Sequence, residues 1–314
     1  QMINFVAPSF NSSRQTIADG TDHIDPATLR GLGPDQVLVL INGRRRHNTA
    51  LINVNGTIGR GSVGTDLNAI PVSSIDKIEI LRDGAASQYG SDAIGGVINI
   101  VLKKDVKRTN VNVHVGQQYA GDGLMKSINA NHAFKLGKKG YMDLFADLRF
   151  REGTNRVGDF TGTVYTNNVA VDNQLIIDRN FSRSGNLLLG NSKADNYGFG
   201  ANFGLPLSSK VNFTANVLTG YRKGDAAGFY RYPKQTNQVI AELYPDGFLP
   251  HILTTVRDQS FNAAIDGNWK GWNWDFGTAY GYNSIAFDVN NSNNASQFAL
   301  GKRAQTNFYA GQLY

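Results

Sequence analysis

The chain has 314 residues, a formal net charge of +6 and no cysteine, which removes disulfides, thiolate metal sites and cysteine nucleophiles. No run of about 18 apolar residues occurs, so no membrane-spanning helix is expected. The basic residues are scattered except at Arg44-Arg45-Arg46 and do not by themselves argue for nucleic acid.

The chain opens Gln1-Met2-Ile3-Asn4-Phe5, which does not read as a signal peptide. The expectation is a leader already removed or a partial sequence. Further on, TLRGLGPDQVLVLINGRRR (Thr28–Arg46) contains an apolar run that predicts a strand near Val37–Ile41. Asp66–Lys104 then holds two alternating or apolar runs, Ile75–Leu81 and Gly96–Leu102. Between them lies a turn-rich segment with Gly84, Gly90, Gly95 and Gly96. Strand, glycine-rich loop, strand is the form of a scaffold that presents a loop.

After Lys104 the composition changes, and alternating segments of roughly ten residues continue to the C-terminus. In Tyr141–Arg151, Leu144 and Leu148 share one face and Asp143 and Asp147 the other. Asp195–Leu205 sets Phe199 and Phe203 against Asn202. Val211–Tyr221 sets Phe213 and Val217 against Asn216, and Asn273–Tyr282 sets Trp274 and Phe276 against Asp275. The apolar set is expected to face lipid and the polar set the lumen. Connections alternate as well. Short ones fall at Gly137–Gly140, Pro206–Ser209 and Lys270–Trp272, and long ones at about 152–193, 222–256 and 285–306. Short periplasmic turns and longer external loops are the pattern of an outer-membrane barrel. A membrane protein without an apolar helix must be such a barrel, because lipid satisfies no open backbone group.

Four blocks now carry a resemblance: L-R-G, V-L-V-L-I-N-G, the run from Ile70 to Arg82, and Y-G-S-D-A-I-G-G-V-I-N-I (Tyr89–Ile100). In this order they resemble the plug domain of TonB-dependent outer-membrane receptors. The resemblance covers about the first third of the chain; the rest is similar only in pattern. It implies an α+β plug over residues 1–105, N-terminally incomplete. A transmembrane antiparallel β-barrel would begin at 106–314. About seven strands are visible, with Asn307–Tyr314 as a possible eighth, whereas barrels that hold a plug have about 22. The chain is therefore expected to end partway round the barrel.

The resemblance also implies function: energised uptake of a scarce nutrient across the bacterial outer membrane. Candidate nutrients are a siderophore or other metal chelate, cobalamin, or an oligosaccharide. The implied partners are the small-molecule or oligosaccharide ligand, outer-membrane lipid, and the TonB complex. TonB would be reached through an N-terminal segment not recognisable here. No cofactor, nucleic acid or enzymatic reaction is implied. Two segments resemble the family's apical plug loops. On Arg44–Asp66 the ligand candidates are Arg45, Arg46, His47, Asn48, Asn53, Asn55 and Arg60. On Ser87–Ile94 they are Gln88, Tyr89, Ser91 and Asp92. The loops are expected to meet at the external face of the plug and form an electropositive site suited to an anionic or chelate ligand. External-loop residues Tyr165, Arg179, Phe229, Tyr230, Arg231, Tyr232 and Tyr244 suit rings equally. The alternative for Arg44–Arg46 is pairing with acidic lumen residues such as Asp143 and Asp147. Arg30 and Arg82 correspond to the family's plug–barrel lock, whose usual glutamates would lie on later strands, and Asp83 is a further possible arginine partner.

Other motifs fail. Gly31-Leu32-Gly33-Pro34 lacks the continuation of a phosphate loop. The five histidines show no close metal-ligand spacing, and no Gly-x-Ser-x-Gly elbow occurs. A passive porin or adhesin-like barrel and a soluble β-rich binding domain are the competing readings. The separate N-terminal domain weighs against both.

Overall fold

The computed structural model describes residues 7–12, 15–18, 20–54, 57–105 and 107–314. Two short strands, β1 (Phe10–Asn11) and β2 (Thr28–Leu29), pair antiparallel. A four-stranded sheet follows, made of β3 (Val37–Ile41), β4 (Arg44–Arg45), β5 (Ile75–Leu81) and β6 (Gly96–Leu102). Its order is β4-β3-β6-β5, with β3 parallel to β6 and β5 antiparallel to it. The three expected plug strands match these ranges to within one residue.

The Val-Leu-Val-Leu-Ile run of β3 is apolar on both faces because both faces are covered; all five residues are buried. Val37, Val39 and Ile41 pack with Ile98, Ile100 and Leu102 and with Leu218 from the neighbouring wall. Leu38 and Leu40 pack with Val97, Ala93 and Ala85, the last on the short helix α1 (Ala85–Tyr89). Each such large side chain stabilises by about 1.5–3 kcal/mol on burial.

Eight antiparallel strands form the wall: β7 (Thr109–Gly116), β8 (Met125–Leu136), β9 (Gly140–Arg151), β10 (Lys193–Pro206), β11 (Val211–Ala227), β12 (His251–Trp269), β13 (Trp272–Asn290) and β14 (Phe308–Leu313). Each pairs with its chain neighbour, and the sheet stays open between β7 and β14. The hairpin at Lys270-Gly271 has φ of 50° and 85°, the left-handed pair of a two-residue turn whose twist suits the strands.

Faces follow the alternation. Leu144, Phe199, Val217 and Phe276 are exposed on the outer side. Asp143, Asn202 and Asn216 are buried inward, and Asp147 and Asp275 bond to plug residues. Three strands run longer than the alternation predicts, however. β11, β12 and β13 run 17, 19 and 19 residues, so the long connections shrink to 152–192, 228–250 and 291–307. The strand ends carry polar residues such as Arg222, Lys223 and Asp225. On β11 the backbone pairing continues after the apolar alternation has stopped, so hydropathy alone does not reveal that end. Within the first and third loops lie α2 (Val169–Asp178) and α3 (Ala295–Phe298).

Candidate functional site

The plug lies on the inner face of the wall, and the contact is polar. Arg46 of the segment after β4 is 4% exposed, and its Nη2 donates to Asp258 Oδ1 on β12. His47 Nε2 lies 2.9 Å from Asp258 Oδ2, which also accepts from Asn283 Nδ2 at 2.9 Å. Asn283 Oδ1 in turn accepts from Ala50 N at 2.8 Å. One wall carboxylate thus gathers a plug arginine, a plug histidine and a wall amide. Arg44 pairs with Asp275, four residues beyond the Lys270-Gly271 turn.

A second node sits higher on the wall. Arg222 Nη1 donates to Asp66 Oδ2 at 2.7 Å and to the His23 carbonyl at 2.5 Å. Its Nε donates to Asn196 Oδ1. Arg222 and Asp66 are both buried. Burial, and then the Arg222 charge, push the His23 imidazole from 6.5 down to about 3, so the ring is neutral at pH 7. Around these nodes the lumen face offers single hydrogen bonds. Asn42 donates to Asn202 at 3.2 Å, Ser73 N to Asp147 at 3.1 Å, and Arg149 to Asn68 at 2.8 Å.

The pairing alternative holds in kind for Arg44 and Arg46, with different partners, whereas Arg45 pairs with Asp92 of the plug itself. Asp275 and Asp258 take Arg44 and Arg46, whereas Asp147 receives the Ser73 amide and Asp143 is buried on β9. Partner choice depends on which strands the plug loop climbs, and alternation does not encode that.

The two candidate loops do meet. Arg45 pairs with Asp92 and reaches the Tyr89 carbonyl at 3.4 Å. Arg45, Arg46, His47, Asn48, Thr65 and Asp92 line one cavity of about 140 Å³. The segment does not sit wholly at an external apex. It starts near the short-turn end with Arg44 and climbs until Leu51 packs with Ile24, Val256 and Ile285. Arg46 and Asn53 are buried. Asn48, Arg60, Gln88 and Ser91 are exposed, Tyr89 packs partly against the α1 cluster, and Asn55 lies outside the described residues. Arg30 pairs with Asp83 on the surface, and Arg82 is exposed.

The long loops fold on one another. The Asp172 carboxylate accepts the amides of Val164, Tyr165 and Thr166. Burial pushes its pKa up, but the three backbone donors outweigh that and hold it below the usual carboxylate value. Tyr165 donates to Asp246 at 2.7 Å, and Arg179 pairs with the same carboxylate at 3.2 Å while lying 5.2 Å from the Tyr165 ring centre. Phe160 stacks on Tyr232 at 4.1 Å, and Tyr230 leans on Tyr232 at 4.8 Å.

Asp66, Arg222 and Asp258 were missed as contact residues. Their available signal was parity: Arg222 and Asp258 are charged residues at inward positions of long strands, where a lumen-filling domain has to supply the counter-charge.

A small α/β sheet fastened by buried ion pairs to the inner face of an antiparallel, outwardly apolar wall defines a plugged β-barrel protein. Residues 2–97, about the first third of the chain, match the model of the TonB-dependent receptor plug domain. It is 26% identical over 200 residues to the ferric enterobactin receptor of Pseudomonas aeruginosa, covering 54% of this chain and 27% of that protein. It is 35% identical over 127 residues to the vitamin B12 transporter BtuB of Vibrio cholerae, covering 40% and 18%. Among solved structures, the siderophore receptor PirA from Acinetobacter baumannii shares the fold with a TM-score of 0.52 at 18% identity, over 91% of this chain and 41% of that one. The chain thus spans less than a third of the length of these curated relatives.

Proposed function

We propose that this chain is the plug-bearing part of an outer-membrane receptor that takes up a scarce nutrient with energy delivered through TonB. The plug would comprise residues 1–105 and the wall residues 106–314. The observation that carries the reading is the seating of the plug by Arg46–Asp258 and Arg222–Asp66, both buried. A passive pore has no use for a domain pinned across its lumen, and a soluble module has no use for an apolar outer face.

Relatives named for ferric enterobactin and vitamin B12 favour a metal chelate as the nutrient. The cavity lined by Arg45, His47, Asn48 and Asp92 supports a ligand contact on the plug, with Arg60, Gln88, Tyr89 and Ser91 exposed beside it. In the same reading Arg30 and Arg82 belong to a lock against the wall. The test is uptake of labelled ferric chelates and cobalamin by cells carrying the receptor, with and without an energised membrane. Energy-dependent uptake is expected, weakened by His47→Ala or Tyr89→Ala. Uptake indifferent to energisation would leave a porin.

A further inference from the structure

Three plug side chains enter the wall where it has no side chain of its own. A Cβ built on Gly224 of β11 would stand 2.1 Å from His23 Nδ1 and 2.5 Å from its Cγ. On Gly281 of β13 it would stand 2.3 Å from His47 Nδ1, and on Gly277 2.7 Å from Arg44 Cζ. The two histidine rings would have to leave, whereas the Arg44 guanidinium, the far end of a flexible side chain, could swing aside. None of the three glycines has a positive φ, so backbone conformation does not require glycine there. Glycine inside a strand costs stability unless something approaches closely, and here a plug side chain does. The sockets lie at inward positions of β11 and β13. Gly224 stands two residues from Arg222, and Gly281 two from Asn283, which pairs across the strands with Asp258.

We propose that Gly224 and Gly281 are sockets for His23 and His47. They set how deeply the plug seats on the wall and how tightly it seals the lumen. The ion pairs hold the plug laterally, whereas the sockets decide how close it comes. A methyl group in a socket pushes the knob out, lifts residues 20–24 or 44–50 from β11–β13, and opens a water path along the wall. The idea rests on the transporter reading only in requiring a sealed lumen, and a passive leak does not depend on which nutrient is carried.

His23 and Gly224 give the sharpest test. The plug tie at this point runs through the His23 carbonyl, so His23→Ala empties the socket without removing the Arg222 hydrogen bond. In the receptor assembled in outer membranes, Gly224→Ala is expected to keep the heat-modifiable mobility of a folded barrel. It is also expected to raise, several-fold, the killing of cells by vancomycin, a solute too large for ordinary pores. Combining it with His23→Ala should return the leak to that of the unaltered receptor. Gly281→Ala should be relieved only in part by His47→Ala, because that change also removes the Asp258 contact. Thr278→Val, on the outer face of β13, should change nothing. An unchanged leak in Gly224→Ala, or a leak that His23→Ala does not relieve, overturns the proposal. Should Gly224→Ala fail to assemble, the double variant decides: recovered assembly supports the socket, and continued failure overturns it. If uptake by the unaltered receptor proved independent of energy, the transport reading would fall while the leak series still reported on the sockets.

Discussion

Asp258→Asn probes the plug–wall contact most directly. The change keeps the side chain's shape and removes its charge. Arg46 then remains 4% exposed with its ion pair gone, and its Nε and Nη1 have no other protein partner among the described residues. An uncompensated buried charge costs about 3–5 kcal/mol. Hydrogen exchange reads this locally, because residues 44–50 can open without unfolding the barrel. The Arg46 amide, bonded to the Val39 carbonyl at 2.9 Å, should lose roughly two to three and a half powers of ten in protection, at about 1.4 kcal/mol per tenfold. Asp258→Leu combined with Arg46→Met should recover most of the loss, since an apolar pair has no charge to strand. A change below about tenfold in Asp258→Asn, with the barrel intact, would refute the idea that this pair holds the plug.

Other outcomes are expected from the same geometry. Leu144→Arg, on the lipid side of β9, should lower barrel assembly by about 2–4 kcal/mol near the membrane midplane. The loss would show in the fraction of heat-modifiable barrel, and a Leu144→Arg that assembles as well as Asp143→Arg would mean that the assigned faces are wrong. His23 is held neutral, with its folded pKa at about 3 against 6.5 unfolded. Its stabilising contribution is therefore present above pH 6.5 and lost as pH falls toward 3, and His23→Gln should flatten that part of the plug's stability profile measured by denaturant titration. Asp172→Asn removes the anion that collects three loop amides. It should increase protease cleavage between residues 160 and 180 without altering barrel mobility. In the unaltered protein the same loosening should appear only as pH falls below about 3.8, because the folded pKa lies lower than the unfolded one.

Much of this architecture is legible in local sequence. The plug strands, the wall's inward and outward faces and the alternation of short and long connections come from apolar runs and a period of two, which each segment expresses alone. The strand ends beyond Tyr221 were hidden because the polar extension keeps its hydrogen bonds after losing its apolar face. Arg45 and Asp92, both singled out from the chain, come together, and Arg44 and Arg46 do meet wall carboxylates. The identity of those carboxylates was not legible. Arg46 and Asp258 are 212 positions apart, and Arg222 and Asp66 are 156. Whether Asp258 or Asp143 receives the arginine depends on the angle at which the plug is turned inside the wall, and no single strand carries that angle. Nor does the sequence show why Gly224 and Gly281 lack side chains. A glycine in a strand is a gap of unknown use until the histidine that fills it has been brought there from another domain.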